Sequence, residues 1–380
     1  MSRQRALDAI NGVMSDRIPQ WDFPDNILLA EKICGDDIWE NTEKTTVELL
    51  KYCDIDMTHY IAGGVAEWNF PLVRYYNEAE FIQNDDTQSY LQAYNKKTEK
   101  PYRSMYDNLG MSCSASFWGI APTLAMKKYM FDSPEDVLEF NPLEHDSATL
   151  DDRIEFFRNY YKEKQALLGD SCLFIGWYYH TLFMWPVEIF GWENFMLAAM
   201  MDSERFKEIL DQFWEISKRD LSAMTAVDDL QLIGCHDDLC SANGPMFPPD
   251  WYRTFIYDRY AEVSSMIRAA GKKSVFVCDG NVSALLPDIA ATGFDGITVD
   301  GQTDLNCVVK NFSGKIMVGG MKPTIVSNGT PEQIEQMIKS TVDIIKDEPG
   351  YFFQSSGLAG KTPVKNIEHY LHCIQKFGQR

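Results

Sequence analysis

The sequence lacks the motifs of several common enzyme classes. No Gly-x-Gly-x-x-Gly fingerprint and no P-loop occurs, and a doubly wound nucleotide-binding sheet normally carries one of them after its first strand. The patterns His-Glu-x-x-His and Gly-x-Ser-x-Gly and the EF-hand loop are also absent. These absences argue against a nucleotide-binding fold, a zincin protease, an α/β-hydrolase and a calcium-loop protein.

Basic residues are scarce. The 380 residues include 35 Lys and Arg against 56 Asp and Glu, which gives a formal net charge of −21. Such a charge repels nucleic acids and anionic membrane surfaces, so neither is an expected partner. No segment has 18 uninterrupted apolar residues and no apolar signal region follows Met1. We therefore predict a cytoplasmic protein.

Paired cysteines are lacking as well. The nine cysteines are scattered along the chain without a Cys-x-x-Cys pair or a regular spacing. This pattern is typical of reduced thiols in an intracellular protein rather than of a disulfide framework.

What the sequence does contain is a regular alternation of short β-rich runs and helical patterns after Cys172. Strand–helix steps of this length favour a parallel sheet, and about eight strands favour a closed (β/α)8 barrel over an open doubly wound sheet. We predict one barrel domain over 1–380, with a helical extension at 1–50. The predicted strands are 55–60, one within Gly110–Trp118, 172–178, 230–235, 274–278, 296–299, 315–318 and 351–354.

In a parallel barrel the residues that follow each strand meet at one end, which places distant residues together. His236, Asp237 and Asp238 follow one predicted strand, and Asp279 follows the next. Aspartates at these positions also cap helices, and Asp300 fits that structural role best. Capping explains at most one of the three residues at 236–238, so we predict His236, Asp237, Asp238 and Asp279 as the catalytic group.

A second set of residues is expected to shape a binding pocket. Tyr178, Tyr179 and His180 stand at the end of the strand at 172–178, within an aromatic block from Trp177 to Trp192 that either lines an apolar pocket or fills the barrel mouth. Cys278, Asn281 and Ser356 stand at other strand ends. His59 ends the first predicted strand, and both a structural and a functional role are open for it.

Several stretches together resemble the uroporphyrinogen decarboxylase superfamily. They are Gly234-Cys-His-Asp-Asp-Leu-Cys-Ser-Ala-Asn-Gly-Pro245 with Pro249-Asp-Trp-Tyr-Arg-Thr-Phe255, Val277-Cys-Asp-Gly-Asn281, Ser355-Ser-Gly-Leu358 with Thr362-Pro-Val-Lys-Asn366, and Arg5-Ala-Leu7 with Asp16-Arg-Ile-Pro19. The resemblance spans nearly the whole chain and implies a (β/α)8 barrel.

Two branches of that superfamily compete. The decarboxylases grip the carboxylates of their substrate with an arginine-containing motif, and nothing like it follows Pro19. The corrinoid-dependent methyltransferases move a methyl group from a small methylated substrate to cob(I)alamin on a separate corrinoid protein, and the acidic chain resembles them more. The implied activity is thus methyl transfer, with a methoxylated aromatic (O-demethylation) as one donor class. A uroporphyrinogen decarboxylase-like lyase and a non-catalytic accessory of the corrinoid pathway are the alternatives, and a homodimer is left open.

The resemblance also implies positions for a metal. Zinc methyltransferases of this group bind Zn²⁺ through His-x-Cys and a distant Cys, and the matching positions here are Val277, Asp279 and Ser356. This set departs from the family pattern and is poor in donors. We therefore predict no metal, while a site rebuilt from His236, Asp238, Asp279 or Cys278 stays open.

Overall fold

A computed structural model describes residues 1–35, 38, 41–61, 80–82, 123–125, 131–355, 358, 360 and 362–380, with only the backbone described at 80–82 and 123–125. The strands are β1 (Met57–Thr58), β2 (Glu80–Ile82), β3 (Thr123–Ala125), β4 (Leu173–Phe174), β5 (Gly176–Tyr178), β6 (Leu232–His236), β7 (Cys240–Ser241), β8 (Gly244–Pro245), β9 (Lys273–Cys278), β10 (Gly296–Val299), β11 (Ile316–Gly319) and β12 (Tyr351–Phe352).

The α-helices alternate with these strands over most of the chain. They are α1 (Arg3–Ile10), α2 (Ile27–Cys34), α3 (Thr42–Tyr52), α4 (Pro134–Glu139), α5 (Leu150–Leu168), α6 (Met184–Phe190), α7 (Trp192–Met201), α8 (Ser203–Thr225), α9 (Pro249–Phe255), α10 (Tyr257–Ala269), α11 (Leu286–Ala291), α12 (Leu305–Phe312), α13 (Pro323–Asn328), α14 (Pro331–Ile345) and α15 (Val364–Phe377). Among the described residues, no helix is both long enough and apolar enough to cross a membrane.

The backbone pairings form a closed ring. One parallel sheet has the order β12-β11-β10-β9-β6-β5. The parallel bridges Gln20–Phe353 and Trp21–Met57 link its β12 edge to β1, and β1 pairs in parallel with β4, which runs on into β5. Eight parallel segments thus close on themselves, as in a (β/α)8 barrel. The predicted fold class is confirmed.

Side chains alternate between the inside of the ring and the surrounding helices, as the period of two in a strand requires. One buried cluster joins inward-facing residues of every ring segment except β10 to α1, with Trp21, Met57, Leu173, Ile175, Leu232, Val275, Val277, Ile316, Val318 and Phe352 from the ring and Ala6, Ala9 and Ile10 from α1. The small α1 residues pack against this interior, and the α1 backbone is tied to Asp170, just before β4. The amino ends of the strands are therefore closed by α1, and chemistry is left to the carboxyl ends.

The first ring segment differs from the prediction. Gln20 and Trp21 belong to the ring, although they lie within the stretch 1–50 that was predicted as a helical extension. Helix α3 consequently lies between the first and second ring segments. The strand predicted within Gly110–Trp118 lies outside the described residues. The other predicted strands agree with observed ones to within two residues at each end.

A buried carboxylate joins the first ring segment to the last. Asp22 accepts hydrogen bonds from the backbone N–H groups of Phe23 (3.0 Å) and Ser355 (3.2 Å). Because Ser355 follows β12, this carboxylate holds the two ends of the ring together. Burial raises the pKa of Asp22 to about 6, and the N–H donors oppose that rise.

Candidate active site

The inward-facing positions at the carboxyl ends of four neighbouring ring strands carry His59, Trp177, His236 and Asp279. Each continues an inward series, since Met57, Ile175, Leu232 and Val277 belong to the interior cluster and lie two or four residues earlier. The strands pair in the order β1, β4/β5, β6, β9, so these four side chains are neighbours around the mouth.

A histidine and two carboxylates form a compact cluster at this mouth. Nε2 of His236 lies 3.1 Å from Oδ1 of Asp238, and the same oxygen accepts a 2.9 Å hydrogen bond from the backbone N–H of Asp279. One potential ligand atom from each of the three side chains lies within 4.8 Å of the others. The structure thus brings together three of the four residues that were predicted to be catalytic.

The charges in the cluster shift one another's pKa values. Burial would lower the pKa of His236, but its hydrogen bond to Asp238 and the charges of Asp238, Asp279 and Asp237 raise it overall. Burial would raise the pKa of Asp238, and His236 lowers it overall. The side chain of Asp279 is exposed at the mouth, but desolvation by the surrounding residues and the neighbouring Asp238 charge raise its pKa to about 6. The cluster therefore contains an ion pair and a carboxyl group that holds a proton at mildly acidic pH.

Aromatic rings flank the cluster. The indole of Trp177 is stacked on His59, with centroids 3.9 Å apart, and faces His236 on its other side at 5.8 Å. Gly234 makes room for it, since a Cβ there would lie 2.7 Å from the Trp177 ring. Trp21 donates its indole N–H to Nδ1 of His59 (3.3 Å), so neutral His59 carries its proton on Nε2. Burial, with the charge of His236, lowers the pKa of His59 to about 3.

Three predicted site residues point away from the mouth, into the helix layer. Asp237 is fully buried and accepts hydrogen bonds from the N–H groups of residues 182–184 and from the hydroxyl of Tyr260. Tyr178 donates its hydroxyl to Asp220 on α8. Sγ of Cys278 accepts from the N–H of Leu239. Each of these three residues is next in sequence to an inward-facing residue. Because successive side chains of a strand point to opposite sides, its own side chain points outward.

The remaining predicted pocket residues differ in position. Tyr179 is 44% exposed, and the centroid of its ring lies 4.5 Å from that of His236, at the rim of the site. His180 is buried with Nε2 3.0 Å from Glu188. The side chain of Asn281 accepts from the N–H of Ser283 and stabilises the following turn. Ser356 lies outside the described residues.

The family zinc positions do not fit a thiolate centre. Val277 faces the interior and has no donor atom, and Cys278 and Cys235, next to the cluster in sequence, belong to the core cluster outside the ring. Among the described residues at the mouth, the cluster of His236, Asp238 and Asp279 is the set that could hold a divalent cation. Two of its potential ligand atoms, Nε2 of His236 and Oδ1 of Asp238, already form a hydrogen bond with each other.

The predicted site residues did not include all of the aromatic side chains that flank the cluster. Trp21 gave no signal because its ring segment is only two residues long and lies between Pro19 and Pro24. His59 was weighed but was not included among the predicted site residues. Asp300 has a structural role, since it accepts hydrogen bonds from the N–H groups of Gly280 and Gln302, but it does not cap the following helix as expected: the N-cap of α12 is Asp304.

Comparisons with known proteins agree with the resemblance. The family model described as "Uroporphyrinogen decarboxylase (URO-D)" matches residues 183–377, just over half of the chain. That range includes the His236–Asp238–Asp279 cluster.

Matches to individual proteins are shorter. The chain is 25% identical over 127 residues to the methylcobamide:CoM methyltransferase MtbA of Methanosarcina acetivorans, which covers 32% of this chain and 37% of that protein. It is 28% identical over 100 residues to the uroporphyrinogen decarboxylase of Vesicomyosocius okutanii, covering 26% and 29%. The matches thus span about a third of these relatives.

A solved structure extends over the whole fold. The structure of a methyltransferase from Methanosarcina mazei superposes with a TM-score of 0.65 at 16% identity, covering 99% of this chain and 98% of that one. At this identity the likeness concerns the fold alone.

Proposed function

Since the chain belongs to the uroporphyrinogen decarboxylase family, we propose that it is a corrinoid-dependent methyltransferase of that family, which takes the methyl group of a small methylated donor and passes it to cob(I)alamin on a separate corrinoid protein. One observation carries this proposal. The mouth holds an acidic cluster, and none of the described inward-facing strand-end side chains is Arg or Lys. A polycarboxylate substrate would be repelled there, whereas a neutral methyl donor is tolerated.

The proposed chemistry is an in-line displacement. The corrinoid of the partner supplies the nucleophile, the bond between the methyl carbon and its heteroatom breaks, and the leaving heteroatom takes up a proton. The task of this chain is to align the donor and to supply that proton. With a methyl ether, Asp279 donates its carboxyl proton to the departing oxygen, and the His236–Asp238 ion pair holds Asp279 in position through the hydrogen bond to its backbone N–H.

We assign the aromatic side chains to donor recognition. Trp177 lies between His59 and His236, and Tyr179 borders His236 from the rim. Both faces of Trp177 are covered, so a flat methoxylated arene fits against the edge of Trp177 and against the exposed side chain of Tyr179. Each such aromatic pair contributes about 0.5–1.5 kcal/mol beyond the area that it buries. The proposed donor class is therefore a methoxylated aromatic compound, and the reaction is O-demethylation.

The test is a donor scan with purified protein and cob(I)alamin, both free and bound to a corrinoid protein. Methoxyarenes, methylamines and methylthiols are supplied one at a time, and conversion of cob(I)alamin to methylcobalamin is followed by its visible spectrum. Methylation from methoxyarenes supports the whole proposal. Methylation from another donor alone refutes the substrate class and retains the reaction.

Two outcomes would replace the proposal. Carbon dioxide release from a porphyrinogen would indicate a lyase like the decarboxylase relative. Absence of methylation with every donor, together with retained binding of the corrinoid protein, would indicate an accessory role.

A further inference from the structure

Two helices of the outer layer carry a second cluster of metal-ligand residues. Glu335 lies on α14, and His369 and Cys373 lie on α15. Residues four apart on a helix share a face, so His369 and Cys373 present their side chains together. One ligand atom from each of the three residues lies within 4.8 Å of the other two. This α14–α15 cluster shares no residue with the cluster at the mouth.

The donor types and the burial suit a transition metal. Cys373 is fully buried, with Sγ 3.5 Å from Nε2 of His369, and it is a free thiol. Glu335 and His369 are half-buried, so an ion reaches the cluster from solvent without opening the core. A thiolate sulfur, an imidazole nitrogen and a carboxylate oxygen are the three kinds of ligand atom that zinc uses in proteins.

A lysine neutralises the cluster in the metal-free protein. Nζ of Lys339 lies 2.5 Å from Oε1 of Glu335, and its side chain is 45% exposed. An exposed ion pair of this kind contributes little to stability, so displacing the ammonium group costs little free energy. His369 also lies 3.0 Å from the carbonyl oxygen of Pro331, a contact that zinc binding through Nε2 replaces.

We propose that Glu335, His369 and Cys373 form a zinc site that fastens α15 to α14, with solvent completing the coordination. On binding, the Cys373 thiol releases its proton to solvent, and the sulfur, nitrogen and oxygen donors bond to the cation without any change in oxidation state. The inference is independent of the proposed methyl transfer.

The experiment uses the full chain carrying Asp238→Ala and Asp279→Ala, so that metal at the mouth does not contribute. Titration with Co²⁺ is expected to produce a thiolate-to-cobalt absorption band at one equivalent, and Zn²⁺ should displace it. Saturating Zn²⁺ should also raise Tm by about 4 °C, as expected for a ligand at roughly a hundred times its Kd.

Single variants in that background identify the ligands. Cys373→Ser should abolish the band, whereas the matched control Cys307→Ser, at a half-buried cysteine on α12, should keep it. Glu335→Gln should weaken binding about tenfold. Lys339→Met should tighten it, because the competing ammonium group is gone. A missing band, a band that persists in Cys373→Ser, or weaker binding in Lys339→Met would overturn the inference.

Discussion

The proton on Asp279 gives the most specific prediction for the mouth cluster. A carboxyl group with a pKa of about 6 is protonated in about 9% of molecules at pH 7, against about 0.06% at the ordinary value of 3.8, a roughly 140-fold difference. The raised pKa therefore makes Asp279 an effective general acid near neutral pH. Asp279→Asn should lower the rate of methyl transfer from an ether at least about tenfold, at the low end of general-acid effects.

The pH profile distinguishes this role from simple positioning. A general acid acts in its protonated form, so kcat should fall as pH rises through about 6, and Asp279→Asn should lose that limb. The charge of Asp238 is the second cause of the raised pKa, after desolvation. Asp238→Asn should therefore lower the pKa of Asp279 and move the limb to lower pH.

The assay is the initial rate of methylcobalamin formation between pH 4.5 and 8.5, with folding checked by circular dichroism at each pH. Asp304→Asn is the control, since Asp304 caps α12 at the same end of the barrel without contacting the cluster. The reasoning is refuted if Asp279→Asn keeps the limb, or if Asp238→Asn moves it to higher pH.

Four further predictions concern the surroundings of the cluster. Asp237→Ala should lower the free energy of unfolding by about 3 kcal/mol in urea titrations, because the buried carboxylate that accepts four hydrogen bonds is lost. The kcat of the folded fraction should persist, and a large loss of kcat would return Asp237 to the catalytic group. Trp177→Ala should raise KM for an aromatic donor about tenfold while Trp177→Phe stays near wild type, and equal effects would contradict an aromatic contact between Trp177 and the donor. Dialysis of Cys373→Ser, which lacks the proposed α14–α15 zinc site, against a chelator should leave methyl transfer unchanged because Val277 has no donor atom, and activity of this variant restored only by Zn²⁺ would identify the mouth as a metal centre. The pKa of Asp22 is raised on folding, so its stabilising contribution is complete below pH 3.8 and is lost as pH rises through about 6. This loss amounts to about 3 kcal/mol in the free energy of unfolding. Asp22→Asn should lack that part of the pH dependence when unfolding is measured across this range.

The sequence predicts the regular part of the barrel well. From β4 onward the strands of the ring are apolar runs of ordinary β propensity, separated by helices with recognisable starts such as Pro331 after the capping residue Thr330. Observed and predicted bounds agree closely there, as at Gly296–Val299.

The first ring segment is not predictable from local pattern. Gln20 and Trp21 are held by partners more than thirty residues away, among them Phe353, Asp56 and Met57. A two-residue strand has no period to detect, and its pairing is a property of the closed ring. Trp21 therefore stayed hidden as the residue that orients His59.

Asp237 points to the opposite side of the barrel wall from His236 and Asp238, because successive side chains of a strand alternate in direction. Sequence reasoning placed His236, Asp237 and Asp238 in one catalytic group, because all three follow the same strand. At the end of β6, however, successive side chains take opposite sides, so His236 and Asp238 face the mouth while Asp237 accepts the N–H groups that begin α6. Fixing the register of β6 by one inward-facing residue, Leu232, would have assigned all three sides in advance. In a parallel barrel, a candidate catalytic group thus lies an even number of residues after an inward-facing strand residue, whereas a helix cap such as Asp237 lies an odd number after it.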